Sequence, residues 1–192
     1  GNKNYSSWSM RPWVLMRQFD IAFDEIKLRF DFTPGSAFYR ELARYTPAGR
    51  VPVLLVDGFA IWDTLAIAES LADMHPSLAL WPRDLRARAR ARSLCAEMHA
   101  GFAALRSHCP MNLRASYTDC QPPAEVLADL QRVETLWSWA RETTRSTTPW
   151  LCGAYSAADA FFAPVATRIA TYNLPVGPEA MVYVNAHRAH PS

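Results

Sequence analysis

Two short apolar runs on either side of an Asp-Gly dipeptide constrain the fold more than any other feature of the sequence. Residues 51–56 (VPVLLV) and 59–62 (FAIW) flank Asp57-Gly58. This arrangement is the strongest short-range signal for a β-hairpin. Helical spacing follows directly over residues 64–74. The sequence therefore predicts a hairpin that leads into a helix.

The segment before the hairpin has the pattern of a strand. Residues 23–30 (FDEIKLRF) alternate between apolar and charged side chains. Strict alternation is typical of a strand with one buried face. Together with the hairpin and its helix, this pattern predicts that residues 1–75 form a domain of mixed strands and helices.

The pattern changes after residue 75. Residues 76–84 contain two prolines and continue neither a strand nor a helix, so we interpret them as a linker. Beyond them only helical spacing occurs, in the segments 85–113, 122–145, 156–172 and 178–188. The sequence therefore predicts a second, all-helical domain over residues 85–192.

Composition excludes several classes of protein. The net charge of +2 is too small to indicate a nucleic-acid partner. The arginine-rich segment 83–92 could form a phosphate-binding stripe. The alternative is a helix face exposed to water, which is usual for such segments. No apolar run reaches the roughly 18 to 20 residues that a membrane-spanning helix needs, and no secretory leader opens the sequence. We therefore expect a cytoplasmic protein.

The four cysteines give no sign of a metal site. They show no CxxC motif and no zinc-like spacing, and without a secretory signal we expect reduced thiols. Cys95 and His99 are four residues apart on a predicted helix, but no further ligand type completes a site around them. We expect no bound metal.

The first candidate site motif is SSWSMRPW at residues 6–13. Its serines precede a predicted helix whose first turn would accommodate Pro12. Serines at a helix start are usually caps. The alternative is that one hydroxyl points to an anionic ligand beside the positive end of the helix dipole.

The second motif is Arg50-Val51-Pro52-Val53. A cis Val51–Pro52 bond would turn the backbone groups of Val51 outward, where they could pair with an extended peptide. The alternative is a trans proline on an edge strand.

The third motif places Asp63 and Thr64 between the hairpin and the following helix. Thr64 could cap this helix, and the backbone N–H groups there could hold a carboxylate. Asp63 adds a negative group that could meet a ligand ammonium.

These motifs resemble those of the glutathione transferase superfamily. NYSSWSMRPW resembles the serine motif of zeta-like and bacterial members, GRVPVL their cis-proline strand, and WDTLAIAESL their carboxylate-binding motif. YSAAD, at residues 155–159, resembles the family's helix capping box. The resemblance covers essentially the whole chain and implies a thioredoxin-like α/β domain followed by an all-α domain, with a first strand expected upstream of Gly1.

The resemblance also assigns residues to glutathione. In members with an SSxSxR motif, the first serine activates the thiol; this is Ser6 here, with Ser7 as the alternative. Val51 would pair with the cysteinyl backbone beside the cis Pro52. Asp63 and Thr64 would hold the γ-glutamyl end. Arg50 is the first candidate for the glycyl carboxylate, with the segment 40–44 as another.

The implied function is that of a cytoplasmic, homodimeric glutathione transferase of bacterial detoxification. A glutathione thiolate would attack a hydrophobic electrophile between the domains, in a pocket formed by Trp8, Met10, Met98 and Phe102. Helix-bundle core is an equal interpretation of Met98 and Phe102. Zeta members that isomerise maleylacetoacetate have a cysteine where this chain has Trp8, so that activity is not carried over. The alternatives are a non-catalytic binding module and a glutathione-dependent isomerase, peroxidase or dehalogenase.

Overall fold

Asp57 and Gly58 form the turn of an antiparallel hairpin. In this computed structural model, which describes residues 2–191, strand β1 (Leu54–Val56) pairs with β2 (Phe59–Ile61). Asp57 and Gly58 have φ angles of 50° and 81°, and a type I′ turn requires positive φ at both central residues. The predicted hairpin is confirmed, with strands shorter than the apolar runs.

Three helices accompany the hairpin. They are α1 (Ser7–Gln18), α2 (Ala37–Leu42) and α3 (Thr64–Met74). Helix α3 has the predicted bounds, whereas the sequence patterns did not predict α2. Helix α3 packs against α1 and so ties the hairpin to the start of the chain.

The predicted strand at residues 23–30 is wrong. This segment has no regular secondary structure, and Ile26 on its predicted buried face is 51% exposed. A strand needs hydrogen-bond partners for its backbone, and within residues 2–191 β1 and β2 pair only with each other. Glu25 connects the segment to the start of the chain, because the Lys3 Nζ lies 2.8 Å from its carboxylate. The Trp13 indole N–H of α1 donates to the same carboxylate.

In the rest of the described chain the regular elements are helices, as predicted, apart from one isolated bridge between Trp150 and Gly153. These helices are α4 (Leu85–Ala100), α5 (Ala103–His108), α6 (Ala124–Thr144), α7 (Ala157–Tyr172) and α8 (Pro178–Ala189). Within residues 2–191 no helix is both long and apolar enough to cross a membrane.

The single helix predicted over residues 85–113 is wrong, because it breaks at Gly101 and Phe102. The Gly101 N–H donates to the Glu97 carbonyl at 2.8 Å, and a Cβ on Gly101 would lie 2.9 Å from the same oxygen. Phe102 then adopts a left-handed backbone with φ 59°. The chain therefore leaves α4 and starts α5 in a new direction.

Helix α7 lies at the centre of the core. It packs against α1, α4 and α8, and its Phe161 and Phe162 are almost fully buried. Val14 and Leu15 of α1 belong to the same continuous apolar cluster. Helices α1 and α3, from the first part of the chain, join this core. Their N-termini lie close to the end of α4.

The predicted capping box at the start of α7 is confirmed. Ser156 and Asp159 make the reciprocal side-chain contacts with the backbone that define it. Asp159 also accepts from the Leu151 N–H at 3.0 Å and the Tyr183 hydroxyl at 3.1 Å. This buried carboxylate therefore joins the start of α7 to α8. Burial raises the pKa of Asp159 to about 6.

Candidate active site

Ser6 and Ser7 lie at the N-terminus of α1, and both are buried. Ser6 caps the helix, since its Oγ accepts from the Ser9 N–H at 3.2 Å, and it donates to the Ser9 hydroxyl at 2.8 Å. Ser7 is the first helical residue. The structure therefore confirms the capping interpretation of Ser6, and its role in activating a thiol stays a prediction.

The sequence analysis expected Pro12 in the first turn of α1, but the residue lies further into the helix. Helix α1 begins at Ser7, so Pro12 is its sixth residue. A proline there has no N–H to donate to the carbonyl four residues earlier, which belongs to Trp8. The expectation was wrong because the serine motif itself forms the first turn.

The Val51–Pro52 peptide bond is cis, as predicted. Within residues 2–191 the backbone N–H and C=O of Val51 make no hydrogen bond. Arg50 is exposed. This loop therefore offers one backbone donor and one acceptor beside an exposed cation.

Asp63, rather than Thr64, caps α3. The Asp63 carboxylate accepts from the Leu65 N–H at 3.2 Å, while Thr64 is the first helical residue and fully buried. The prediction that Thr64 caps the helix is therefore wrong. The short carboxylate of Asp63 has the extended backbone and the reach that a cap requires. The Asp63 side chain remains 54% exposed.

His99, at the end of α4, contacts both of these residues. Its Nε2 lies 3.3 Å from Asp63 Oδ2, and its Nδ1 lies 3.4 Å from Thr64 Oγ1. Burial lowers the pKa of His99, the charges of Arg11 and Arg106 lower it further, and Asp63 opposes them. A neutral His99 protonated on Nε2 would donate to Asp63 and accept from Thr64.

Within residues 2–191 Cys95 makes no hydrogen bond with His99, and the pair is no metal site. Cys95 is fully buried in the core, and burial raises the pKa of its thiol. All four cysteines are free. Within the described residues, no group of three or more His, Cys, Asp or Glu side chains is arranged to hold a metal.

Trp8 lies where α1 meets the second half of the chain. The His99 ring packs edge-on against it with ring centres 5.0 Å apart. The guanidinium carbons of Arg11 and Arg106 lie 4.3 Å and 4.4 Å from the Trp8 ring centre. The start of α1, the start of α3 and the end of α4 therefore converge on Trp8 and His99.

Comparison with known proteins finds similarity in the first part of the chain. Residues 5–74 match the family model of the glutathione S-transferase N-terminal domain. This part of the chain is similar to that domain and contains every residue that the sequence analysis assigned to glutathione.

Solved structures show that the transferase fold extends over the whole chain. A glutathione transferase homologue from Burkholderia GL BGR1, with bound glutathione, is 24% identical with a TM-score of 0.67, covering 97% of this chain and 87% of that one. Ure2p in complex with glutathione is 21% identical with a TM-score of 0.72, covering 97% and 92%. At these identities the likeness shows the glutathione transferase fold alone.

Curated relatives match a shorter stretch. A probable maleylacetoacetate isomerase from Caenorhabditis elegans is 30% identical over 99 residues, which is 52% of this chain and 44% of the relative. The matched stretch spans less than half the length of the curated relatives. Their activity is therefore a property of those proteins.

The four residues predicted to form the electrophile pocket do not lie together in the structure. Trp8 faces the helical part, but Met10 and Pro52 line a different cavity of about 740 Å³ between α1, the hairpin and α3. Met98 and Phe102 are 0% and 6% exposed and belong to the core. Of the four predicted pocket residues, Trp8 is the one whose ring packs against His99.

Sequence reasoning missed His99, Arg11 and Arg106 as site residues. His99 meets Thr64 from 35 positions away, and no local spacing indicates such a contact. Arg11 offered one signal, because it lies one turn after Ser7 and its side chain is directed back toward the helix start.

Proposed function

We propose that this protein binds glutathione and activates its thiol, through the Ser6 hydroxyl, for attack on a small electrophile beside Trp8. The observation that carries the proposal is the chain of contacts from Trp8 through His99 to Asp63 and Thr64. It brings the starts of α1 and α3 together, so that one small peptide thiol could reach both. The match of residues 5–74 to the glutathione S-transferase N-terminal domain supports glutathione as that peptide.

Each part of glutathione has a complementary group in this proposal. The exposed Asp63 carboxylate would accept from the γ-glutamyl ammonium, and the N–H groups of the first turn of α3, beginning at Thr64, would bind its carboxylate. The Val51 backbone would pair with the cysteinyl residue beside Pro52. Arg50 would meet the glycyl carboxylate.

The chemistry requires the thiol to lose its proton. A free thiol has a pKa of about 8.5 and is mostly protonated at neutral pH. A hydroxyl that donates to sulfur stabilises the thiolate, and the N-terminus of α1 adds a favourable dipole. About 2 to 3 kcal/mol would lower the pKa by about two units. The proposed step requires no metal.

The Ser6 hydroxyl must change partner for this role. It donates to the Ser9 hydroxyl in this structure. On binding, it would donate to the sulfur while still accepting from the Ser9 N–H. Ser7, buried one position later, is the alternative donor. The thiolate sulfur would then form a bond to the electrophilic carbon, and the leaving group would depart with its electron pair.

A glutathione-dependent isomerase is the second candidate. The names of the curated relatives favour it. Trp8, at the position where the maleylacetoacetate-isomerising members have cysteine, argues for a different reaction. Turnover of an aryl chloride and of a cis-enediolate by the same preparation would distinguish the two. A protein that binds immobilised glutathione but turns over neither would be a binding module.

We also propose a cytoplasmic homodimer in which each first domain meets the partner's helical domain, with a role in bacterial detoxification; these points rest on the resemblance. Large apolar side chains on the first domain support an interface. Phe59 and Phe32 are 70% and 67% exposed, and Trp62 is 46% exposed. Sedimentation equilibrium at micromolar protein tests the dimer.

Calorimetric titration with glutathione tests the proposed function. We expect saturable binding with one site per chain. An absence of binding at millimolar glutathione, by a protein that unfolds cooperatively, would contradict the proposal.

A further inference from the structure

We propose that a cavity at the start of α4 binds the phosphate group of a small molecule through Arg83, Arg86 and Arg90. The cavity has a volume of about 610 Å³ and lies between α4, the end of α6 and residues 152–156 before α7. Its lining residues all follow residue 78, whereas the residues proposed to hold glutathione all precede residue 65. The inference is therefore independent of the proposed function.

The arginine-rich segment 83–92 contains arginines with two different roles. Arg88 donates to two backbone carbonyls of the turn before α4, each at 2.9 Å, and so holds that turn in place. Arg92 pairs with the Glu69 carboxylate of α3 through two contacts of 2.8 Å. The other three arginines of the segment line the cavity. The segment is therefore not a uniform stripe that only faces water.

The three cavity arginines have no counter-ion in the described part of the chain. Within residues 2–191 none of them has a carboxylate oxygen within the 4.0 Å of an ion pair. Among the described residues that line the cavity, Asp84 is the one acid, and its carboxylate caps α4 by accepting from the Ala87 N–H at 2.8 Å. Three arginines and one aspartate leave the cavity with a net charge of +2.

Arg90 is positioned by an aromatic ring. Its guanidinium carbon lies 4.7 Å from the centre of the Trp139 ring on α6. An aromatic face attracts a cation but leaves its N–H groups unsatisfied. The Nε of Arg90 is buried, and within residues 2–191 it has no hydrogen-bond partner. A buried donor without a partner costs free energy, and an oxygen of a ligand in the cavity would supply that partner.

Charge and donor number favour a phosphate monoester over a carboxylate. A phosphate monoester carries a charge of about −1.5 to −2 at neutral pH and three terminal oxygens that accept hydrogen bonds. This charge matches that of the cavity, and each oxygen can accept from a different guanidinium. The positive end of the α4 dipole lies at the same place and adds to the attraction.

The size and the remaining lining of the cavity favour a small molecule. Its volume lies within the range of about 300 to 1,000 Å³ that is usual for small-molecule sites. Pro82, Ala87 and Ala154 line it beside the arginines and offer apolar surface to the rest of the ligand. Arg83 is fixed at the edge, because its Nη2 donates to the Ser77 carbonyl at 2.9 Å.

The test compares phenyl phosphate with phenyl sulfate, which has nearly the same shape but a single negative charge. Binding is measured by calorimetry without glutathione, at a pH of about 7.5, where the phosphate ester is mostly a dianion. The buffer is zwitterionic and of constant ionic strength. We expect phenyl phosphate to bind about tenfold more tightly than phenyl sulfate. Inorganic phosphate should displace it, because the phosphate group carries the affinity.

Single substitutions locate the site. Arg86→Gln should remove the preference for phenyl phosphate. Arg29→Gln should retain it and is the matched control, because Arg29 is also exposed, does not line the cavity and contributes the same charge. Arg90→Gln should remove the preference as well. Since this change also leaves Trp139 without its cation, thermal unfolding is used to check that the variant folds.

Three results would overturn the site. In the first, the two esters bind equally or neither binds at millimolar concentration. In the second, Arg86→Gln and Arg29→Gln change the preference equally, which would indicate attraction by net charge alone. In the third, a short phosphoserine peptide binds more than about tenfold more tightly than phenyl phosphate, which would replace the small molecule by a phosphorylated protein.

Discussion

The His99 imidazole connects the end of α4 to the start of α3, with its Nε2 3.3 Å from Asp63 Oδ2. Thr64 contacts the other ring nitrogen. One histidine therefore orients both side chains proposed for the γ-glutamyl end of glutathione, although it belongs to the helical part of the chain. The affinity of the first part for glutathione should depend on this contact.

Replacing His99 by phenylalanine should weaken glutathione binding about fivefold, because the ring would still pack on Trp8 while both polar contacts disappear. This corresponds to about 1 kcal/mol, the net worth of a typical hydrogen bond. Calorimetric titration measures the change. His108→Phe is the matched control, since the His108 side chain is half-exposed and contacts the exposed side chain of Glu125. Equal affinities in the two variants would contradict a positioning role for His99.

Removing the Ser6 hydroxyl should have two separable effects. Ser6→Ala removes the cap of α1 and should reduce the free energy of unfolding by about 1 kcal/mol. It should also lower turnover at least about tenfold through loss of the donor to sulfur. Denaturant unfolding and steady-state kinetics measure the two effects independently. If Ser7→Ala lowers turnover and Ser6→Ala does not, the activating hydroxyl is Ser7; if neither does, serine activation is wrong.

Asp63 and Thr64 should differ in their effects on stability. Asp63→Ala removes the cap of α3 and should cost about 1 kcal/mol of unfolding free energy. Thr64→Ala should weaken glutathione binding by about 1 kcal/mol, the net worth of a typical hydrogen bond, because the buried Thr64 hydroxyl would no longer hold His99, and Thr64→Ser should restore it. Thermal unfolding without ligand and calorimetric titration provide both quantities. Unchanged glutathione affinity in Thr64→Ala would place the γ-glutamyl site elsewhere.

His187 should make the protein sensitive to acid. Burial lowers its pKa from 6.5 to about 3, and its Nε2 has no partner within residues 2–191. Below pH 6.5 the unfolded chain binds a proton that the folded protein does not, so the free energy of unfolding falls as the pH falls toward 3. His187→Phe should flatten this decline in pH-dependent denaturant unfolding. His108→Phe should not.

Asp159 contributes to the same pH profile with the opposite sign. Burial raises its pKa to about 6, so its contribution is complete below its unfolded pKa and is lost as the pH rises through 6. Asp159 is present in both histidine variants, so its contribution to the free energy of unfolding cancels when their pH profiles are subtracted. Identical profiles for the two variants would contradict the account of His187.

Local patterns predicted the parts of the fold that local physics determines. Asp57-Gly58 requires only the two flanking runs to form its turn. Helix α3 and the Ser156–Asp159 capping box depend on spacings of three and four residues. The cis bond before Pro52 was predicted from the same short motif in which it occurs.

The predictions that failed depended on distant partners. Residues 23–30 have the alternation of a strand, but alternation does not supply a neighbouring strand. The break at Gly101 depends on close approach to one carbonyl, which helical spacing does not reveal. The contacts of His99 and the burial of Arg11 arise where α1, α3 and α4 meet around α7. Sequence reasoning therefore named Asp63 and Thr64, which the structure brings together with His99, and missed the arginines that pack on Trp8.

The pKa of the thiol of bound glutathione tests the central claim most directly. It is measured from the ultraviolet absorbance of the thiolate across a pH titration, with Ser6→Ala as the comparison. The account predicts a pKa about two units below the value of about 8.5 for a free thiol, and a return toward that value in Ser6→Ala. Bound glutathione that titrates like the free peptide in the unchanged protein would contradict it.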